Sequence, residues 1–126
     1  VEEAALAELV ELARLAVPAW QAALARPDGW SPDEILRHVA AFDLWYASRL
    51  SRDGRLEVAL PADPVAAVQV AGRVFAAIVR LMPIEQRGAV FEHDGEEWTL
   101  AKALRRRTGH LREHAAQLGD WIPKGR

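Results

Sequence analysis

Cysteine is absent from these 126 residues, and lysine occurs only at Lys102 and Lys124. The missing thiols exclude a disulfide scaffold, a cysteine nucleophile and any thiolate metal site. Histidine and carboxylate remain as metal ligands, and the chain has four histidines, His38, His93, His110 and His114. An excess of one charge is lacking too, because 16 Lys plus Arg face 18 Asp plus Glu for a formal net charge of -2. With no basic field to attract phosphate, neither a nucleic-acid partner nor an anionic membrane surface is expected. Long apolar runs are also missing. The longest stretch without a charged side chain, Leu15 to Ala25, falls well short of the roughly 20 residues of a membrane span. The first residues lack the basic, apolar, small-residue order of a signal peptide. These absences together lead us to expect a soluble, cytoplasmic protein.

What is present favours helix. Alanine occurs 24 times, and residues 1–126 have the size of a single domain. Leu6, Leu9, Ala13, Val17, Trp20 and Leu24 recur at threes and fours, which predicts a first helix over Glu2 to Arg26 with a kink between Arg14 and Pro18. Ser31-Pro32-Asp33-Glu34 is a complete helix start: a hydroxyl cap, proline at the first position and a glutamate closing the capping box. Ile35, Val39, Phe42, Trp45 or Tyr46, and Leu50 carry the second helix to a stop at Arg52-Asp53-Gly54. Asp63-Pro64 opens a third helix that ends before Pro83. Ala89 to His93, Asp94-Gly95 and Glu96 to Trp98 read as a short hairpin on a type I′ turn. Thr99 caps a fourth helix with Leu100, Leu104, Leu111, His114, Leu118 and Trp121 on its inner stripe, and Gly119, Pro123 and Gly125 mark its end. Four amphipathic helices in one small chain predict an all-α four-helix bundle with a short β-hairpin before the last helix.

His110 and His114 stand four apart, on one face of the fourth helix, where they can grip a single ion. His38 lies on the inward stripe of the second helix, where a buried imidazole needs a partner. At ~1.5 Å per residue, His38 is ~9 Å from the start of its helix, while His114 and His110 are ~10 and ~16 Å back from Trp121. Antiparallel second and fourth helices therefore bring all three to one level, and parallel ones do not. The connection over residues 51–63 can stretch ~40 Å, more than the ~28 Å of the helix it must retrace. A crossover between helices two and three is thus affordable, and the predicted order is up, down, down, up.

The combination of Gly29-Trp30-Ser31-Pro32-x-Glu34-Ile35-Leu36-x-His38-Val39 with His110-x-x-x-His114-x-x-Gln117-Leu118 resembles the DinB-like (YfiT-type) family of metal-dependent four-helix-bundle proteins. The resemblance covers essentially the whole chain. It implies a divalent ion, zinc or nickel, held by His38, His110 and His114, and a homodimer. It also implies, as one activity among relatives, thiol transfer to a small electrophilic substrate, with a low-molecular-weight thiol as co-substrate. Hydrolysis is the neighbouring chemistry, since three neutral ligands leave a position open for water or thiol. A function of another class also fits, a non-catalytic helical interaction or dimerisation module whose metal is structural or absent.

Other residues are weighed beside these. Arg107 shares the histidine face and is a candidate for an anionic group of the substrate, while Gln117 is a candidate to orient a ring nitrogen. Trp45 reads equally as core or as a pocket wall. His110-Leu111-Arg112-Glu113-His114 fits the order of inverted zinc peptidases, but Glu113 points roughly 100° from His114 and is expected in solvent. His93, beside the hairpin turn, is expected to be solvated. Trp30, Trp98 and Trp121 are expected to cap the bundle ends. Gly109 costs about 1 kcal/mol relative to Ala inside a helix, which suggests a close approach there.

Overall fold

The structure, a computed structural model, describes residues 4–11 and 30–120. Among them are four α-helical segments, one 3-10 turn and one hairpin: α1 (described over residues 4–11), α2 (Pro32–Ser48), α3 (Pro64–Leu81), the 3-10 turn Ile84–Gln86, β1 (Phe91–His93), β2 (Glu96–Trp98) and α4 (Leu100–Gly119). The expected kink at Arg14 to Pro18, Trp20 and Trp121 lie outside the described residues.

Each helix start follows from its cap. The Ser31 hydroxyl accepts from Glu34 N at 3.2 Å, and the Ser31 N–H donates to Glu34 Oε1 at 3.3 Å, so two otherwise unpaired donors are satisfied reciprocally. Asp63 Oδ2 accepts from Ala66 N at 2.8 Å, and Thr99 Oγ1 from Lys102 N at 3.2 Å. The second helix ends at Ser48, earlier than the Arg52-Asp53-Gly54 stop expected from its apolar stripe. The Ser48 hydroxyl turns back to donate to Trp45 O at 2.6 Å, and Arg49 caps the helix while its guanidinium reaches Gly54 O at 2.9 Å. Local side-chain bonds thus compete with continuation of the helix. The hairpin forms with the expected turn and second strand, but its first strand begins at Phe91 and not at Ala89. Phe91 pairs with Trp98 and His93 with Glu96, and Asp94 and Gly95 have φ of 54° and 81°, the two positive angles that a type I′ turn requires.

Packing sets the directions. One buried cluster joins Ala5 and Leu9 to Ile35, Leu36 and Val39 of α2, Ala67, Val68 and Ala71 of α3, and Leu111, Ala115 and Leu118 of α4. A second joins Tyr46, Ala47 and Leu50 to Phe75, Met82, Phe91, Trp98 and Ala103. Residue numbers rise together along α2 and α3 and fall along α4. The 49–63 connection returns to the start of α2, where Arg37 bridges Asp33 Oδ1 and Ala62 O, each at 2.9 Å. By length and composition α3 is apolar enough to cross a bilayer, a helix that a search for charge-free runs misses because Arg73 and Arg80 interrupt it. In the structure one face of this helix, Ala67, Val68, Ala71, Gly72 and Phe75, is buried, 28% of its length, and both arginines are exposed.

Candidate metal centre

The antiparallel course of α2 and α4 brings His38, His110 and His114 together, as their spacing predicts. The Nε2 atoms of His38 and His114 each lie 3.0 Å from His110 Nε2, and the three candidate ligand atoms fall within 4.8 Å of one another. Nitrogens on one tetrahedral zinc at about 2.0 Å stand about 3.3 Å apart, so a small divalent ion fits this spacing with minor adjustment.

Proton accounting explains why such a cluster suits a cation. His114 Nδ1 faces Gln117 Oε1 at 2.7 Å, and the amide oxygen can only accept, so the proton of a neutral His114 sits on Nδ1 and its Nε2 presents a lone pair. His110 has one Nε2 proton at most, and both neighbouring Nε2 atoms lie at the same distance from it. Its other nitrogen, Nδ1, is buried without a hydrogen-bond partner among the described residues. Protonation does not relieve the cluster, because burial and the neighbouring His114 and His38 hold the His110 pKa down at about 4. His38 is lowered as well, by burial and then by His114, with Glu113 pulling the other way. Three ring nitrogens facing one another in a setting that disfavours protons form a group that could hold one metal ion.

Aromatic rings surround the imidazoles. The His38 ring lies 4.6 Å from Trp30 and 4.6 Å from Phe42, centroid to centroid. His110 lies 5.2 Å from Phe42 and 5.8 Å from Tyr46, whose hydroxyl pKa is raised by burial. Beside His114 a recess of about 620 Å³ opens, lined by Trp30, Glu113, His114, Ala116, Gln117 and Asp120.

The other sequence candidates separate. Gln117 holds a ring nitrogen, as anticipated. Arg107 does not meet an anion at the histidines: it is 2 % exposed and forms a two-bond pair with Asp43 at 3.1 and 3.0 Å, its guanidinium over the Phe75 ring. Its charge is spent on a carboxylate that α2 supplies one turn beyond His38. Trp45 is 39 % exposed and packs on Phe42, Tyr46 and Trp98, away from the imidazoles, lining a separate recess with Arg49 and the 54–60 connection. Glu113 is exposed as expected, yet it lies on the rim of the recess beside His114.

Three expectations are corrected. His93 is not simply solvated, because it packs against Gly54 and its Nε2 is buried without a partner among the described residues. Gly109 approaches nothing among the described residues: a Cβ there meets no atom within 4 Å, so no close approach explains the glycine. Trp98 is 1 % exposed, in the core of the second cluster, and Trp30 sits on the histidines. Sequence reading missed Trp30, Phe42 and Tyr46 as neighbours of the site. The signal for Phe42 was its place four residues after His38 on one helical face. Trp30 precedes the helix and carries no periodic signal.

Comparison of the chain with family models, with curated proteins and with solved structures gives no match.

Proposed function

We propose that this protein is a divalent-metal-binding protein of the DinB-like type, an up-down-down-up four-helix bundle whose His38, His110 and His114 hold zinc or nickel through Nε2. The observation that carries this reading is the convergence of three Nε2 atoms within 4.8 Å, one of them already turned inward by Gln117. The packing of α2 with α3 in one direction and α4 in the other supports the bundle order. Three neutral ligands leave room for a further one, and a divalent ion held so would supply the Lewis acidity that lowers the pKa of a thiol or a water at neutral pH. Addition of an external thiol to a small electrophile, or hydrolysis, is the chemistry we assign to the site. The chain has no cysteine, so the thiol must come from a co-substrate. The recess beside His114 is the approach we assign to it.

Metal analysis after equilibrium dialysis tests the proposal. The native protein is expected to take up one zinc, nickel or cobalt per chain and the His38→Ala/His110→Ala/His114→Ala variant none. Absence of stoichiometric uptake by the native protein refutes it. Addition of a small thiol or azide to the cobalt form is expected to change its visible spectrum; an unchanged spectrum assigns the ion a structural role.

A further inference from the structure

The three rings are oriented by different means. Among the described residues, His114 alone has a hydrogen bond from its outward nitrogen, to Gln117. Among the described residues no hydrogen bond is formed at His38 Nδ1, and the ring is gripped instead by two aromatic neighbours: Trp30 edge-on at 61° and Phe42 tilted at 45°, both with centroids at 4.6 Å. Trp30 also lies nearly parallel to the His114 ring, at 6.1 Å and 10°, so one indole spans ligands from both α2 and α4. Its backbone immediately precedes Ser31, whose reciprocal capping bonds with Glu34 fix the entry of the chain into α2. Trp30 is 41 % exposed and belongs to neither buried cluster, so core packing does not account for it.

We infer that Trp30 is a positioning residue of the metal centre. Together with Phe42 it holds the His38 ring in the orientation that a hydrogen bond holds for His114, and it covers the side of the centre that adjoins the recess, slowing exchange of the ion. This inference rests on the metal reading above. Ligand-orienting neighbours of metal-bound histidines typically contribute about 10-fold or more to metal retention, and an indole against two ligands is placed for that role.

The test compares zinc release into excess chelator from the native protein, Trp30→Phe and Trp30→Ala. We expect Trp30→Ala to release zinc about 10-fold faster or more, Trp30→Phe to restore a rate near the native one, and all three metal-free proteins to melt within a few degrees of one another. A second readout is optical: cobalt or nickel quenches indole fluorescence at close range, and the Trp30→Phe variant should lose most of the quenching seen in the native protein. Equal release rates for native and Trp30→Ala, with stoichiometric zinc in both, overturn the inference and leave the metal reading intact. Failure of the native protein to bind zinc overturns both. A native-like quench in Trp30→Phe likewise removes Trp30 from the centre.

Discussion

Two polar clusters join α2 to α4 about one helical turn apart, and they differ in what they lack. Asp43 and Arg107 are 0 % and 2 % exposed and satisfy each other through two parallel hydrogen bonds. Burial holds the Asp43 carboxyl pKa above its ordinary value, against the downward pull of the Arg107 guanidinium, and each group is the other's hydrogen-bond partner. The histidine cluster has no such internal solution: three imidazoles face one another across Nε2 contacts of 3.0 Å, and His110 Nδ1 is buried without a partner among the described residues. A buried polar group that completes itself is part of the scaffold. One that stays incomplete and gathers ligand-type nitrogens, as the three histidines do, is a candidate for a metal ion. The sequence places both sets on the same inward stripes, and only the pairing across helices tells them apart.

The sharpest way to break the comparison is to remove half of the complete cluster. Arg107→Met leaves Asp43 buried without its partner and should cost about 3–5 kcal/mol in denaturant unfolding, whereas Asp43→Leu combined with Arg107→Met should recover most of that loss. The incomplete cluster should respond to pH. Its folded His110 pKa of about 4 lies below the ordinary 6.5, so the unfolded chain binds more protons between those values. Stability of the metal-free protein is therefore full above pH 6.5 and declines as pH falls toward 4, by at most about 3 kcal/mol for this group. The His110→Leu variant should lose that dependence.

Ligand supply should then separate the clusters. Zinc at 100 times its Kd should add about 2.7 kcal/mol to the unfolding free energy of the native protein and nothing to the triple-alanine variant. Gln117→Leu, which removes the acceptor from His114 Nδ1, should weaken zinc binding about 10-fold, with Gln117→Glu near native. The smallest effect belongs to Gly109, which faces open space beside His110: Gly109→Ala should raise helix stability by about 1 kcal/mol and leave zinc stoichiometry unchanged. A loss of metal in that variant would show that the open space is used.

Legibility follows the range of the interaction. The Ser31, Asp63 and Thr99 caps and the Asp94-Gly95 turn are local, made within four residues, and each was readable from adjacent residue types. The three histidines were readable because helical rise and linker length allow only one topology that levels them. Arg107 was misassigned because its partner Asp43 lies 64 residues away, and a helical wheel shows the face but not what faces it. Trp30 carried no periodic signal, since it belongs to the turn before α2 and reaches His38 only after the capping box sets the chain's entry.

The amino-acid sequence by itself determined the absence of thiolate ligands, the helix starts, the hairpin turn and the candidate set His38, His110 and His114. These depend on chemistry within a residue or within a few neighbours. Only the tertiary structure decided that Nε2 is the converging atom, that Gln117 bonds to one ring while Trp30 packs against two, and that Arg107 serves the core instead of a ligand. Those outcomes depend on side chains from different helices competing for the same buried space, where each donor takes the nearest acceptor that the packing offers.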